Sequence, residues 1–269
     1  MADESFENAP LLEIVAELRW IPSDIIAPKA GELAIATSPP PSLDKLFNMF
    51  VGEVYQSEYR QIERLVPAGF PILLHQPAFR FRHPQHAALF QLGLGLFSAN
   101  GLQPYRSWGQ FRPIVKLGVD TLLKARIPAD QARPFTLHSL RYIDAFGPDL
   151  LNGQTIPQFI SDTLGLSLDL PDSVAGLVDD PAKVKSHVQI TLPIKGSNKS
   201  MALSFGEGAL PTAPATAALL MEITVTEEAV AADSARLMDA FDSSRTVIHD
   251  TFVQMTRKIH SLMKPRQAP

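Results

Sequence analysis

The feature that most constrains the fold is a strictly alternating segment near the start of the chain, residues 11–20. Side chains of a β-strand point alternately to opposite faces, so every second residue lies on the same face. One face of this segment is apolar and the other is charged, and the two sets are Leu12, Ile14, Ala16, Leu18 and Trp20, then Glu13, Glu17 and Arg19. The pattern predicts a strand with one buried face.

A short motif from the end of this segment recurs 122 residues later in the chain. Leu18-Arg19-Trp20-Ile21 and Leu140-Arg141-Tyr142-Ile143 share the order Leu-Arg-aromatic-Ile. Each copy leads through a predicted helix and further strands into a long closing helix. This order favours an α+β fold with antiparallel sheets and long helices, in which two related halves, 1–130 and 131–269, pack as one unit. A chance match of four residues is the alternative.

Local patterns add helices and a turn. After a proline-rich loop, Ser42 is placed to cap a helix whose apolar stripe extends as far as Ile62. Asn100-Gly101 is typical of hairpin turns and predicts the end of a strand. A second helix is expected over Tyr105–Ala125, and Pro113 inside it predicts a late start or a kink.

The last predicted helix, Asp233–Met263, carries a seam of apolar residues at alternating spacings of three and four. The seam consists of Met238, Phe241, Arg245, Ile248, Phe252, Met255, Ile259 and Leu262. One interpretation is a core helix that lies across the molecule's own sheets. The other is a docking helix whose far end packs against a second subunit or another protein, where Arg245 sets the register or meets a carboxylate.

Composition excludes several classes of protein. The 24 Lys and Arg residues against 28 Asp and Glu residues give a formal net charge of −4, without the positive field that non-specific nucleic-acid binding requires. The absence of cysteine excludes disulfide scaffolds, thiolate metal sites and cysteine nucleophiles. The N-terminus is acidic, unlike a signal peptide, and no apolar stretch reaches the roughly 20 residues of a spanning helix. The expected location is the cytoplasm, without membrane contact.

Charged residues on predicted strands form the most informative polar set. Glu13, Glu17 and Arg19 share one strand face, Arg80 and Arg82 share another, and Arg141 is the counterpart of Arg19 in the repeated motif. If these faces join one sheet, their guanidinium groups could bind a carboxylate, a phosphate or a partner surface. The alternative is cross-strand ion pairing on a solvated sheet, which contributes little to stability.

No pattern of a known catalytic, cofactor or metal site is present in the sequence. Gly93-Leu94-Gly95 lacks the third glycine of a dinucleotide loop, and Lys195–Ser200 lacks the glycine spacing and the following helix of a phosphate loop. His83 and His86 are close together but lie beside Pro84 without an acidic neighbour, which favours a surface loop over a metal site. We therefore expect a protein without cofactor or metal, and a non-enzymatic role is favoured.

Four segments resemble an uncharacterised, sporadically distributed family of bacterial proteins of about this length. They are Ala9–Trp20, the residues Tyr105-Arg106-Ser107-Trp108, the segment Leu140–Asp144, and His249 with Phe252 and Thr256. The chain has Asp144 where the family usually has asparagine. The resemblance implies a patchily inherited bacterial protein with no established activity, a distribution compatible with defence or toxin–antitoxin cargo.

The leading hypothesis is a non-enzymatic protein-interaction component that forms a homo-oligomer or a complex with another protein. A defence or toxin–antitoxin-type system is the context that the resemblance suggests for it. Its contact elements would be the C-terminal helix and the charged sheet face. The alternative is a module that binds a small anionic ligand, or an enzyme, with a site between the two halves where arginines hold the anion and a carboxylate acts as base. Convergence of Arg19 and Arg141 in one concave pocket would favour this alternative.

Overall fold

The computed structural model describes residues 6–29, 35–36, 40–104, 107–167, 171–180, 184–210 and 215–266 of the 269-residue chain. The strands are β1 (Leu11–Arg19), β2 (Ile35–Ala36), β3 (Gln61–Arg64), β4 (Ile72–Leu73), β5 (Pro77–Arg82), β6 (Ala88–Gly93), β7 (Leu96–Leu102), β8 (Phe135–Phe146), β9 (His187–Pro193), β10 (Lys199–Leu210) and β11 (Thr216–Val230). The helices are α1 (Pro41–Gln56), α2 (Trp108–Ala125), α3 (Pro128–Gln131), α4 (Pro148–Leu151), α5 (Ile156–Gln158), α6 (Asp172–Ala175), α7 (Ser234–Met255) and α8 (His260–Met263). A π-helical turn, Phe159–Thr163, follows α5, and a 3₁₀ turn, Arg257–Ile259, precedes α8.

The strands form one large antiparallel sheet and one small one. The large sheet has nine strands in the order β3-β5-β6-β7-β1-β8-β11-β10-β9, and β2 pairs separately with β4. The long helix α2 contacts β7 and α1, and α7 contacts β8, β11 and α2. The predicted α+β class with antiparallel sheets and long helices is therefore confirmed.

The nine-stranded sheet has a local two-fold arrangement about its centre. Starting from the adjacent strands β1 and β8, the pairs β7 and β11, β6 and β10, and β5 and β9 stand at equal distances on the two sides. In the register of β1 against β8, Glu17 is paired with Ser139, the residue 122 positions later. The spacing of the repeated motif thus coincides with the centre of the sheet. Strands from residues 1–130 lie on one side of this centre and strands from 131–269 on the other.

The buried face of the sheet is the one that the alternation predicts. Ile14, Ala16 and Leu18 of β1 have no exposed surface. Next to them, the helix α2 approaches β6 and β7 closely at Gly118, where a Cβ atom would lie 2.5 Å from the ring of Phe97. Because Gly118 has no side chain, α2 packs directly against the phenylalanine rings of the sheet. This contact fixes the position of α2, the helix that closes the first half.

The start of α1 differs from the prediction. The helix begins at Pro41 with Pro40 as its N-cap, so Ser42 lies inside the first turn. The capping interaction comes from elsewhere in the chain, since the backbone N–H of Ser42 donates to Oδ2 of Asp24 at 3.1 Å. Ile62 is not part of the helix stripe. It lies on β3 and is 41% exposed.

The predicted turn at Asn100-Gly101 is wrong, because both residues lie inside β7. The actual turn between β6 and β7 contains Gly95, whose positive φ of 66° suits glycine. Gly101 serves packing instead, since a Cβ atom there would lie 3.1 Å from the ring of Phe111. The helix that follows starts at Trp108 and contains Pro113, while Tyr105 lies outside the described residues.

The long C-terminal helix is shorter than predicted. Helix α7 ends at Met255, and the chain continues through the 3₁₀ turn into α8. Thr256 follows the helix with no exposed surface, and its hydroxyl group donates to the carbonyl oxygen of Phe252 at 2.7 Å. A threonine hydroxyl that bonds the preceding turn competes with the helical hydrogen-bond pattern, which accounts for the break at this residue.

Candidate functional site

All six charged residues of the predicted sheet surface lie on one face of the nine-stranded sheet, opposite the buried face of β1. The strand registers place one polar row across eight strands, which reads Glu63, Arg80, Gln91, Ser98, Glu17, Ser139, Thr226 and Ser200. A neighbouring row contains Arg82 and Arg141. We call this surface the open sheet face.

Most charges on the open sheet face are paired within it. Nε of Arg19 donates to Oε1 of Glu17 at 2.7 Å. Arg80 and Arg141 form ion pairs with Glu63 and Glu222, at 3.1 and 3.7 Å.

An amide links the remaining carboxylate of β1 to the next strand. Nδ2 of Asn100 donates to Oε1 of Glu13 at 2.7 Å, and its Oδ1 accepts the hydroxyl of Ser98 at 2.7 Å. Arg82 is different, because no hydrogen bond or ion pair joins it to another residue of the described part. The face is therefore largely self-neutralised.

The two arginines of the repeated motif do not converge. Arg19 is opposite Leu137 in the register, and Arg141 is opposite Val15. This places them four residues apart along the strands, or about 13 Å at the usual rise of a β-strand. A shared anion site between Arg19 and Arg141, the geometry that would have favoured a site between the halves, is absent from this sheet.

The apolar seam of the C-terminal segment packs largely inside the chain's own core. Met238, Phe241, Ile248 and Ile259 are buried, with exposures of 5% or less. Phe252, Met255 and Leu262 are partly buried against the same core, and Arg245 is half-buried. The buried members are therefore not accessible to a partner in this fold.

A pocket lies at one corner of the first half, away from the open sheet face. It has a cavity volume of about 10 Å³, which is room for about one water molecule, and it is bounded by the end of β1, the β6–β7 turn, the start of α1 and the end of α2. Its lining residues are Trp20, Pro22, Ser42, Leu43, Leu46, Gly93, Leu94, Gly95, Arg126, Ile127 and Asp130. We call it the Arg126 pocket.

The lining of the Arg126 pocket is apolar except for three side chains. Arg126 follows the last residue of α2 and is 1% exposed. Its Nη1 donates to the carbonyl oxygen of Arg133 at 3.1 Å, while Nε and Nη2 are buried without a hydrogen-bond partner in the described chain. The hydroxyl of Ser42, in the first turn of α1, is likewise buried and unpartnered among these residues.

The third polar side chain, Asp130, is engaged by the protein itself. Its Oδ1 accepts the backbone N–H of Ser23 at 3.0 Å and lies 3.8 Å from Nη1 of Arg133. Within the described residues, no carboxylate lies within 4 Å of the guanidinium group of Arg126. The segment after β1 is held in place by these contacts, since Nη1 of Arg133 also donates to the carbonyl oxygen of Ile21 at 3.3 Å.

The guanidinium group of Arg126 contacts two aromatic rings, which are perpendicular to each other. Its Cζ atom lies 4.5 Å from the ring centre of Phe135 and 5.5 Å from that of Trp20. Burial lowers the pKa of Arg126 to about 10, with Asp130 opposing and Arg133 adding to the shift. The group still carries its charge at neutral pH. A buried charge without a paired counter-charge is costly, and an anion in the pocket would remove that cost.

Sequence reasoning did not find this pocket. Arg126 ends a helix, and nothing in its local pattern separates it from the many basic residues that occupy this position. The rings around it, Trp20 and Phe135, and the hydroxyl of Ser42 come from three other segments of the chain. The only local feature that could have indicated a buried arginine is that Arg126 lies between the apolar end of a helix and Ile127.

Three further findings concern the described residues. No three histidine, aspartate or glutamate side chains come close enough there to hold a metal ion. The rings of His83 and His86 are in contact, with 4.0 Å between their centres and an angle of 53° between their planes. No helix in the same part of the chain is both long and apolar enough to cross a membrane.

Comparison with known proteins adds little. No protein-family model matches the chain, and no curated protein is similar to it in sequence. Among solved structures, the crystal structure of the di-domain ARO/CYC StfQ from the steffimycin biosynthetic pathway is 9% identical, covers 85% of this chain and 97% of its own, and has a TM-score of 0.21. A likeness at this score supports no conclusion about fold or activity.

Proposed function

We propose that this protein binds a small anion in the Arg126 pocket. The observation that carries the proposal is the buried guanidinium group of Arg126, a residue that lines the pocket and whose Nε and Nη2 have no hydrogen-bond partner in the described chain. Buried polar groups in folded proteins are nearly always hydrogen-bonded, and buried charges are paired. An anion satisfies both requirements, and the hydroxyl of Ser42 offers it a further donor.

Anion-dependent stabilisation tests the proposal. The purified protein is heated with sodium acetate, propionate, phosphate or sulfate at constant ionic strength, and the unfolding midpoint is measured. A ligand present at about 100 times its Kd adds about 2.7 kcal/mol to the free energy of unfolding. We expect one or more of these anions to raise the midpoint of the natural protein and to have a much smaller effect on Arg126→Gln.

The matched control is Arg257→Gln, which removes the same charge from an exposed position in the 3₁₀ turn. It should respond to anions as the natural protein does. If Arg126→Gln does not fold, Ser42→Ala removes only the unpartnered hydroxyl and should give a weaker response. Equal midpoint shifts in the natural protein, Arg126→Gln and Ser42→Ala would contradict anion binding at this pocket.

A second candidate function is contact with another copy of the chain through the open sheet face. The observation that favours it is Arg82, a half-buried guanidinium group on a face where the other arginines are paired. Light scattering should then give a mass above 29.5 kDa, and Arg82→Glu should lower it. A concentration-independent mass of 29.5 kDa would contradict this role. A place in a defence or toxin–antitoxin system stays a prediction of the sequence resemblance.

A further inference from the structure

The nine-stranded sheet has two edge strands of different character. At the edge of the first half, β3 has four residues, all exposed, among them Glu63 and Arg64. Short and charged edge strands are a common protection against pairing with another chain. At the edge of the second half, β9 has seven residues without aspartate, glutamate, lysine or arginine, and its one proline, Pro193, is the last residue. Most of the β9 edge therefore lacks this protection.

The two-fold arrangement of the sheet indicates that the β9 edge accepts a further strand. β9 stands at the same distance from the centre of the sheet as β5. β5 is not an edge strand, because β3 pairs with it antiparallel, from Gln61 against Arg82 to Arg64 against Phe79. Within the described residues, β9 pairs with β10 on one side and with no strand on the other. The second half thus has no counterpart of β3 in the described part of the chain.

The backbone groups of β9 that point away from the sheet follow from its pairing with β10. The N–H of Ile194, directly after β9, donates to the carbonyl oxygen of Lys199 at 2.9 Å. In an antiparallel pair such bonds recur at every second residue, so the even-numbered residues of β9 bond to β10. The odd-numbered residues, among them Gln189 and Thr191, direct N–H and C=O groups outward. Pro193 has the same orientation, so its missing N–H leaves the pairing with β10 intact.

Three side chains of β9 form an apolar row that the described chain covers only in part. Val188, Ile190 and Leu192 are in register with core residues of β10. Helix α7 packs on β8 and β11, and β9 lies two strands from β11. Val188 and Ile190 are half-buried, and Leu192 is 41% exposed. A further strand with apolar side chains would remove this surface from water.

We propose that β9 pairs with β9 of a second copy of this chain, antiparallel about a two-fold axis at Ile190. In this register the strand is complementary to itself, since Ile190 meets the partner's Ile190 and Val188 meets the partner's Leu192. The outward groups match as well, because Gln189 lies opposite the partner's Thr191, and the overlap gives about six backbone hydrogen bonds. A shift by two residues in either direction shortens the overlap.

The chemistry of β9 favours a second copy over other partner strands. The strand has no carboxylate, ammonium or guanidinium group, so an identical strand meets no like charge, and a charged strand finds no counter-charge. Pairing of two β9 strands uses this edge in both copies. The edges that remain are the two charged β3 strands, so the assembly closes as a dimer and does not grow into a filament.

Cysteine cross-linking tests the register, because the natural chain contains no cysteine. Opposite residues of a non-hydrogen-bonded pair have Cα atoms about 4.5 Å apart, which a disulfide bond can span. Ile190 and its copy form such a pair in the proposed dimer. With oxidised glutathione, we expect Ile190→Cys to form a covalent dimer at least about tenfold faster than Ile62→Cys, the matched control on the other edge strand.

Light scattering over a range of protein concentrations measures the dimer directly. The mass should rise from 29.5 kDa towards twice this value. Leu192→Lys places a charge against the partner's Val188 and should raise the dissociation constant at least about tenfold. Thr191→Pro removes an outward N–H, as Pro193 does, and should weaken the dimer similarly. Ile62→Lys, at a side chain that is also 41% exposed, should leave the mass unchanged.

Each other outcome would overturn part or all of the proposal. A mass of 29.5 kDa at every concentration, without cross-linking of Ile190→Cys, would overturn the dimer, also if an unrelated extended peptide binds to β9. A dimer that dissociates in Arg82→Glu and persists in Leu192→Lys would place the contact on the open sheet face. Equal cross-linking of Ile190→Cys and Ile62→Cys would overturn the two-fold register. This last comparison stands even if Leu192→Lys does not fold.

Discussion

The buried carboxyl group of Asp144 makes the stability of this protein depend on pH, and this dependence can be measured. The residue is on β8, where its register neighbours are Leu11 of β1 and Met221 of β11. It is 3% exposed, and its Oδ2 atom has no hydrogen-bond partner in the described part of the chain. Burial raises the pKa of Asp144 from its usual value near 3.8 to about 8. The folded protein therefore keeps this carboxyl group protonated at neutral pH.

The sign and size of the effect follow from linkage. Between pH 4 and 8 the unfolded chain releases the proton of Asp144 and the folded chain retains it, so the free energy of unfolding falls as pH rises. One proton corresponds to about 1.4 kcal/mol per pH unit, which amounts to a loss of about 4 kcal/mol by pH 7. Asp144→Asn has no proton to release and removes this slope. Its free energy of unfolding should fall less with pH than that of the natural protein.

Urea denaturation between pH 5 and pH 7.5, followed by tryptophan fluorescence, measures this difference. The slope is the diagnostic quantity, because the new buried amide changes the stability at every pH by the same amount. Asp149→Asn, an exposed substitution on α4, is the control and should keep the slope of the natural protein. Parallel pH profiles for the natural protein and Asp144→Asn would refute the reasoning, since Asp144 would then ionise in the folded state as it does in water.

Two other perturbations address the packing of the closing helices. Lys199→Met should lower the free energy of unfolding by about 1.5–3 kcal/mol, because the buried carboxylate of Glu227 loses the ammonium group 3.5 Å away and keeps only the exposed guanidinium group of Arg236, at 3.2 Å. A loss below about 1 kcal/mol in urea denaturation would contradict this. Gly118→Ala should cost about 1–3 kcal/mol despite the better helix propensity of alanine, because its Cβ atom would meet phenylalanine rings. Gly52→Ala, with open space around it in α1, should instead stabilise by about 0.5–1 kcal/mol, so thermal midpoints that shift in the same direction would refute the packing argument.

The predictable part of this fold rests on periodicity. The alternation in 11–20 correctly predicted that Ile14, Ala16 and Leu18 are buried, because side chains of a strand must alternate whatever its partners are. It did not predict that Val15, on the opposite face, is buried as well, since that depends on the neighbouring strands. The repeated motif predicted a related arrangement of elements, and the sheet has one. Asn100-Gly101 misled because its residue types also suit a strand where Gly101 makes room for the ring of Phe111. Local preference cannot separate a glycine needed for a turn from one needed for packing.

The Arg126 pocket could not be predicted, for a related reason. What distinguishes it is that Nε and Nη2 of Arg126 have no hydrogen-bond partner among the described residues, and no sequence pattern encodes such an absence. A guanidinium edge without a partner is a property of the assembled corner, where Ser42 and Arg126 come from helices more than 50 residues apart. The charged strand residues were easy to see in the sequence, but most of them neutralise one another on the open sheet face.

The corner that holds the Arg126 pocket can be compared with the equivalent corner in the second half of the sheet. Each half has a corner formed by the end of its first strand, the helix after it and the end of its closing helix. In the second half, Thr256 follows α7, bonds its own helix and has no exposed surface, while α8 packs against α4. In the first half, Arg126 follows α2, and two of its donors have no partner among the residues that the structure describes. Because the strand arrangement around both corners is equivalent, the fold does not require the open corner. Its buried charge is a cost to stability that ligand binding would offset.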